Sequence, residues 1–214
     1  MLPAIFGLSG LTLTAEEVEL IRRADPLGFI LFARNIDNPQ QVKGLTDSLK
    51  TLTGRDNLPI LIDQEGGRVA RLVPPHWRVW PPALDFAHAY AQSPERGRAA
   101  AVCNYQALAL DLAALGISVN CAPVLDVPET GAHDIIGDRA FGAEPAMVAE
   151  LGAALLEGFA LSGVVGVVKH IPGHGRALAD SHEALPRVTA SIKALNRDLA
   201  PFKALAHAPM AMTA

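Results

Sequence analysis

The feature of the sequence that most constrains its fold is the alternation of short apolar runs with longer stretches of helical periodicity. The apolar runs predict six strands, at 4–8, 28–32, 59–62, within 117–125, 164–168 and 209–213. Continuously apolar strands are buried on both faces, and the intervening helices can supply that cover on a parallel sheet. The sequence therefore predicts an α/β fold with a parallel sheet.

The starts of the predicted helices carry capping signals. Thr14 and Glu17 have the spacing of a capping box, and Asn38-Pro39 supplies an N-cap followed by proline in the first turn. Three later helices are predicted to begin at Ser93-Pro94, at Pro145 and near Ile192.

An open doubly wound sheet and a (β/α)₈ barrel both fit this alternation. Polar residues follow several different strands, namely Arg34, Asp63, Asp126 and the pair Lys169-His170. Polar residues from many strands meet on one rim in a barrel, whereas a doubly wound sheet places its chemistry at one switch point, usually with a phosphate-binding glycine loop. The segment after the first strand, Gly7-Leu8-Ser9-Gly10, lacks the spacing and the lysine of such loops. The sequence thus favours a TIM (β/α)₈ barrel.

Chain length sets how much of that barrel is present. Six units in 214 residues average about 36 residues each, so eight units would need about 285. We therefore expect residues 1–214 to form a single, incomplete TIM-barrel domain of about six β/α units.

Composition argues against several classes of partner. Charged residues make up 19% of the chain and the net charge is −4, so we expect no basic surface for nucleic acid. No apolar stretch reaches membrane-spanning length, and no basic segment precedes the apolar N-terminal run as it would in a secretory signal. Cys103 and Cys121 are predicted to be small buried side chains in a reducing compartment. We expect a soluble, cytoplasmic protein that binds neither nucleic acid nor membrane.

Four segments contain the residues most suited to chemistry. Asp63 ends a strand and opens an Asp-Gln-Glu-Gly-Gly-Arg run that leads to Arg71, and Arg139 lies in a Gly-Asp-Arg-Ala-Phe-Gly segment. The third segment is Lys-His-Ile-Pro-Gly-His-Gly at 169–175, and the fourth is Asp-Ser-His at 180–182. In this order the four segments resemble the signature of the single-domain bacterial β-N-acetylhexosaminidases of glycoside hydrolase family 3. The resemblance covers nearly the whole chain.

The fourth segment pairs a carboxylate with an imidazole. Asp180 and His182 are two residues apart, so on an extended loop their side chains can point the same way. A carboxylate orients an imidazole and raises its basicity, and a histidine can then donate a proton to a leaving oxygen and later take one from water. The resemblance implies that His182 is the acid/base and Asp180 its orienting partner. A surface histidine beside a capping aspartate is the structural alternative.

A metal site is a second alternative for this part of the chain. Four possible ligands fall within thirteen positions, namely His170, His174, Asp180 and His182. Pro172 and its neighbouring glycines disfavour the helical ligand pair that a spacing of four would otherwise supply. We therefore predict no metal.

Five residues are implied by the resemblance to bind the sugar: Asp63, Arg71, Arg139, Lys169 and His170. For the two arginines the alternative is an ordinary surface salt bridge. Trp77 and Trp80 are predicted to pack the proline-rich segment onto the barrel rather than to stack on sugars. Asp126 fits a rim residue or a turn-forming residue equally well.

A nucleophile is missing from these motifs. Retaining hydrolysis needs a carboxylate about 5 Å from the acid/base. In the family this is an aspartate after the seventh strand, and none of the aspartates in this sequence matches it, as though the chain were truncated before its nucleophile.

The resemblance implies a retaining exo-β-N-acetylglucosaminidase that removes terminal GlcNAc from cell-wall muropeptides during peptidoglycan recycling, without a cofactor. Three alternatives stay open: a family 3 β-glucosidase, a β-GlcNAc phosphorylase, and a catalytically inactive sugar-binding fragment.

Overall fold

The computed structural model describes residues 1–129, 135–176 and 188–213. Six strands form one sheet: β1 (Leu2–Gly7), β2 (Pro26–Leu31), β3 (Ile60–Ile62), β4 (Val119–Asn120), β5 (Val165–Ile171) and β6 (Met210–Thr213). Each strand pairs in parallel with the next one along the chain. A doubly wound sheet would reverse its strand order at a switch point. The sequential order therefore confirms the predicted barrel-type α/β fold, of which these strands form a curled part.

Helices connect the strands on the outside of the sheet. Seven are described: α1 (Ala15–Ala24), α2 (Pro39–Thr53), α3 (Ala83–Gln92), α4 (Pro94–Ala114), α5 (Pro145–Leu161), α6 (Ile192–Asp198) and α7 (Ala200–Ala204). Single 3₁₀ turns occupy Ala33–Asn35 and Gly137–Arg139. No helix in the described ranges is both long enough and apolar enough to cross a membrane.

The predicted caps of the first two helices are present. The Thr14 hydroxyl accepts a hydrogen bond from the Glu17 amide at 3.2 Å, and the Glu17 carboxylate accepts one from the Thr14 amide at 2.9 Å. Asn38 accepts from the Gln41 amide at 3.0 Å. These bonds satisfy amides that have no partner within the helix, so the local sequence fixes where α1 and α2 begin.

Apolar side chains form two layers, one on each side of the strands. Leu61, Val119, Cys121 and Val167 pack together inside the curled sheet. Ile60 and Ile62, which flank Leu61 in the sequence, belong instead to the larger core under the helices. Because successive residues of a strand face opposite sides, residues two positions beyond Leu61 and Val167 continue the inner face. Those residues are Asp63 and Lys169, at the C-terminal mouth of the sheet.

Three side chains outside the strands test further predictions. Trp80 is buried in the core and Trp77 packs against it, as predicted for the proline-rich segment. Cys121 is buried, but the prediction for Cys103 is wrong because its side chain is exposed. The buried stripe of α4 runs through Ala101 and Tyr105, so Cys103, midway between them, lies on the opposite face.

Candidate active site

Lys169 lies at the centre of a buried charged cluster at the mouth of the sheet. Its Nζ atom is 3.0 Å from Asp63 Oδ1 and 2.7 Å from Glu65 Oε1, and only 2% of its side chain is exposed. Burial by itself would lower the pKa of Lys169, but the charges of Glu65 and Asp63 outweigh burial and raise it. Lys169 is therefore an ammonium that donates in a fixed direction.

Glu65 joins this ammonium to a guanidinium. Arg139 grips the Glu65 carboxylate with two hydrogen bonds, Nε to Oε2 and Nη2 to Oε1, both at 2.8 Å. Burial would raise the pKa of Glu65, but the hydrogen bonds from Arg139 and the charge of Lys169 lower it below its usual value. Arg139 is only 11% exposed, so this is a buried ion pair and not the surface salt bridge considered as its alternative.

Arg71 approaches the cluster from the loop after β3. Its Nη2 atom is 3.6 Å from Asp63 Oδ2. The backbone of that loop is held by Gln64, whose side-chain oxygen accepts from the amides of Arg71 and Leu72 at 2.8 and 2.9 Å. The two oxygens of Asp63 thus face two different cations.

His170 faces a different carboxylate, Asp126, which follows β4. The distance from His170 Nδ1 to Asp126 Oδ2 is 2.6 Å, and Asp126 is completely buried. The other carboxylate oxygen, Oδ1, accepts from the backbone amides of His170 at 3.4 Å and His174 at 2.6 Å. One buried carboxylate therefore holds both the ring of His170 and the turn that follows β5.

His174 and Arg176 continue the chain beyond that turn. The His174 ring lies 6.2 Å from that of His170, and neither of its nitrogens has a hydrogen-bond partner among the described residues. Arg176 pairs with Glu129 and, at 2.5 Å, with the buried Asp198 of α6. These contacts fix the chain up to residue 176, where the described part of this loop ends.

One cleft of about 420 Å³ is lined by the charged cluster and the two histidines, namely Asp63, Glu65, Arg71, Arg139, Lys169, His170 and His174. Its walls also include Phe32 after β2 and Thr213 of β6, so the cleft spans the C-terminal ends of several strands. That is where barrel enzymes place their active sites. Over the described part of the chain, no group of three or more metal-ligating side chains is close enough to hold a metal ion. The cleft instead offers charged donors and acceptors suited to a polyhydroxylated ligand.

Comparison with known proteins identifies the family. Residues 6–214 match the family described as "Glycosyl hydrolase family 3 N terminal domain". The chain belongs to glycosyl hydrolase family 3.

Two relatives of the chain are named beta-hexosaminidase. The chain is 39% identical over 205 residues to "Beta-hexosaminidase" of Alkalilimnicola ehrlichii and 38% identical over 203 residues to that of Pseudomonas aeruginosa, covering 95% and 94% of this chain. It is also similar to NagZ from Neisseria gonorrhoeae in complex with N-trifluoroacetyl-D-glucosamine, with a TM-score of 0.92, 35% identity, and coverage of 100% of this chain and 63% of that one. This chain spans 58% of the length of the two hexosaminidases.

The structure brings together all five residues predicted to bind sugar: Asp63, Arg71, Arg139, Lys169 and His170 all line the family 3 cleft. Their role in binding stays a prediction. The predicted acid/base residues, Asp180 and His182, lie outside the described residues.

Sequence reasoning missed one residue of this site and left another undecided. Glu65 lies two positions after Asp63, a spacing that could have suggested that both carboxylates face one side. Asp126 was left undecided between a rim role and a turn role, and the structure shows that it has contacts of both kinds.

Proposed function

We propose that the protein carrying this chain is a retaining exo-β-N-acetylglucosaminidase that removes terminal GlcNAc. The observation that carries the proposal is the cleft in which Asp63, Arg71, Lys169 and His170 converge at the strand ends of a family 3 chain. The hexosaminidase names of its relatives, and the glucosamine derivative bound to the similar NagZ, support this substrate class.

The charged cluster is suited to hold a sugar without rearrangement. Asp63 is in contact with two cations, so its carboxylate is fixed in place and can accept hydrogen bonds from sugar hydroxyls. Lys169 and Arg71 contribute donors beside it. Groups held in place before the substrate arrives lose little entropy when it binds, and this favours orientation of the anomeric carbon.

The proposed reaction consists of two successive substitutions at the anomeric carbon. A carboxylate supplied from outside these residues attacks that carbon while His182 gives its proton to the departing glycosidic oxygen. His182, oriented by Asp180, then removes a proton from water, which hydrolyses the glycosyl–enzyme ester with net retention. We further propose cell-wall muropeptides as the substrate and cytoplasmic peptidoglycan recycling as the process.

An aryl β-GlcNAc hydrolysis assay on the complete protein, followed by NMR of the first product, tests the proposal. We expect the β-anomer to form first, and we expect His182→Ala or Asp180→Ala to reduce kcat by about 10²- to 10⁴-fold. A matched control is His207→Ala, which changes a histidine that does not line the cleft. Full activity after loss of His182 would refute the dyad.

Two further assays distinguish the proposed hydrolase from a phosphorylase and from a glucosidase. Formation of a sugar 1-phosphate when phosphate is added would identify a phosphorylase, and preference for aryl β-glucoside would identify a glucosidase. The 214-residue chain, titrated with GlcNAc, tests for sugar binding without hydrolysis, a reading favoured by its 58% coverage of the relatives.

A further inference from the structure

The contacts of Asp126 determine which nitrogen of His170 carries a proton. A carboxylate accepts hydrogen bonds and has no proton to donate, and Asp126 Oδ2 lies 2.6 Å from His170 Nδ1. Nδ1 must therefore be the protonated nitrogen. The other nitrogen, Nε2, makes no hydrogen bond to any described residue, and the ring lines the cleft with 16% of its side chain exposed.

In its neutral form the ring of His170 carries a single proton, and the contact with Asp126 places that proton on Nδ1. A neutral ring protonated on Nδ1 has a lone pair on Nε2.

We propose that Asp126 is a positioning residue that holds His170 in the Nδ1-protonated tautomer, so that Nε2 accepts a hydrogen bond from a sugar hydroxyl. The proposal rests on the proposed function for the identity of the ligand. It gives the sugar site a defined polarity: Lys169 and Arg71 donate to the ligand, whereas His170 requires a ligand atom that donates.

An alternative role for Asp126 is purely structural, since it also accepts from the amides of His170 and His174. Replacement with asparagine separates the two roles. The two amides face Oδ1, so they orient the new side chain with its oxygen toward them and its NH₂ group toward His170. The turn is retained, but Nδ1 now faces a donor. The proton must then move to Nε2, which becomes a donor.

Nitrogen-15 NMR of the histidine rings in the ligand-free complete protein tests the tautomer directly. His170 is assigned by its loss in His170→Gln. We expect the Nδ1-protonated pattern in the wild type and the Nε2-protonated pattern in Asp126→Asn, with no change in the control Asp111→Asn, whose partner Arg78 lies on the outer surface. An Nε2-protonated ring in the wild type would overturn the proposal, even if the variant failed to fold.

Binding of 3-, 4- and 6-deoxyfluoro analogues of GlcNAc tests the consequence for specificity. Fluorine cannot donate, so we expect the analogue altered at the hydroxyl facing His170 to bind the wild type about tenfold more weakly than GlcNAc. In Asp126→Asn this penalty should fall to about threefold or less, while penalties at hydroxyls facing Asp63 persist. A uniform loss of affinity for all ligands would show that Asp126 is only structural.

Failure of the proposed function would look different. A complete protein that neither binds nor cleaves GlcNAc compounds would refute that function and the ligand part of this proposal. The tautomer would still be decided by the spectra of the free protein.

Discussion

Lys169 and His170 are adjacent in sequence, but their surroundings differ in kind. Lys169 belongs to a cluster in which charges contact charges, with Asp63 and Glu65 on the ammonium and Arg139 on Glu65. His170 contacts one carboxylate, Asp126, whose other oxygen is satisfied by backbone amides. The first arrangement depends on every charge being present, because each compensates another in a buried place. The second depends on the direction of its hydrogen bonds.

Removal of Lys169 should lower the free energy of unfolding more than any other change to these two groups of residues. Lys169→Met leaves Asp63 and Glu65 with one cation fewer, and loss of one partner of a buried ion pair destabilises by about 3–5 kcal/mol. The free energy of unfolding from urea titration measures it. The control is Lys43→Met, which breaks the exposed pair with Asp47 and should change stability by no more than about 0.5 kcal/mol. Equal effects of the two changes would show that the cluster is not electrostatically coupled.

Glu65→Gln should have the next largest effect. It keeps the shape of the side chain but removes the charge that Arg139 and Lys169 share, so we expect about 1–3 kcal/mol of destabilisation in the same titration. Its control is Glu157→Gln, which breaks the exposed pair with Arg98. If Glu65→Gln changed stability as little as the control does, the ion pair with Arg139 would not be important for the fold.

Acid should weaken the Lys169 cluster through Glu65. The pKa of Glu65 is lower in the folded than in the unfolded chain, so its stabilising contribution is present above the unfolded value of about 4.3 and is lost as pH falls through the folded value. Between pH 5 and 3, the wild type should therefore lose stability more steeply than Glu65→Gln. Lys169 has a raised pKa, so its contribution is present below about pH 10.4 and is lost only as pH rises further. Parallel acid profiles would contradict the assignment to Glu65.

The Asp126→Asn change should affect stability less than either change in the cluster. The oxygen facing the amides of His170 and His174 is retained, and the altered contact to Nδ1 can be restored by moving one proton. We expect about 1 kcal/mol of destabilisation. A loss as large as that of Lys169→Met would mean that the charge of Asp126, and not its hydrogen-bond geometry, is what the fold requires.

The smallest effect concerns the thiol beneath the cluster. Cys121 is buried, and burial raises its pKa to about 12, with the charge of Asp63 adding to the shift. We expect Ellman's reagent to titrate the exposed Cys103 but not Cys121 in the native wild type. Faster reaction of Cys121 in Lys169→Met would show that the cluster closes this end of the inner layer. Reaction of Cys121 in the native wild type would contradict its burial.

Much of the fold could be predicted from sequence because its determinants are local. The six apolar runs and the caps at Thr14 and Asn38 involve residues within a few positions of one another. The helix predicted from Ile192 onward is divided after Asp198, because Pro201 has no amide to continue the hydrogen-bond ladder. Helix α3 was not predicted, because it begins directly after the proline-rich segment at 74–82.

The candidate site was predictable only in part because its pairs are distant in sequence. Lys169 was recognisable, since an ammonium ending a buried strand must face a partner or a ligand. Glu65 was missed because its partner Arg139 is 74 positions away, and the role of Asp126 was left open because His170 is 44 positions away. By contrast, Cys103 could have been placed correctly from the helical period of its neighbours.

The turn that Asp126 holds has a geometric consequence. The same carboxylate fixes the ring of His170 and the amide of His174, and two residues later Arg176 is tied to Glu129 and Asp198. Asp126 thus fixes the position of the proposed sugar-binding side chain, His170, and also the position from which the chain continues toward Asp180. A substitution that displaces Asp126 would therefore move His170 and the start of that segment together. A shift in the position of the bound sugar would be accompanied by a shift at the start of the segment that leads to Asp180.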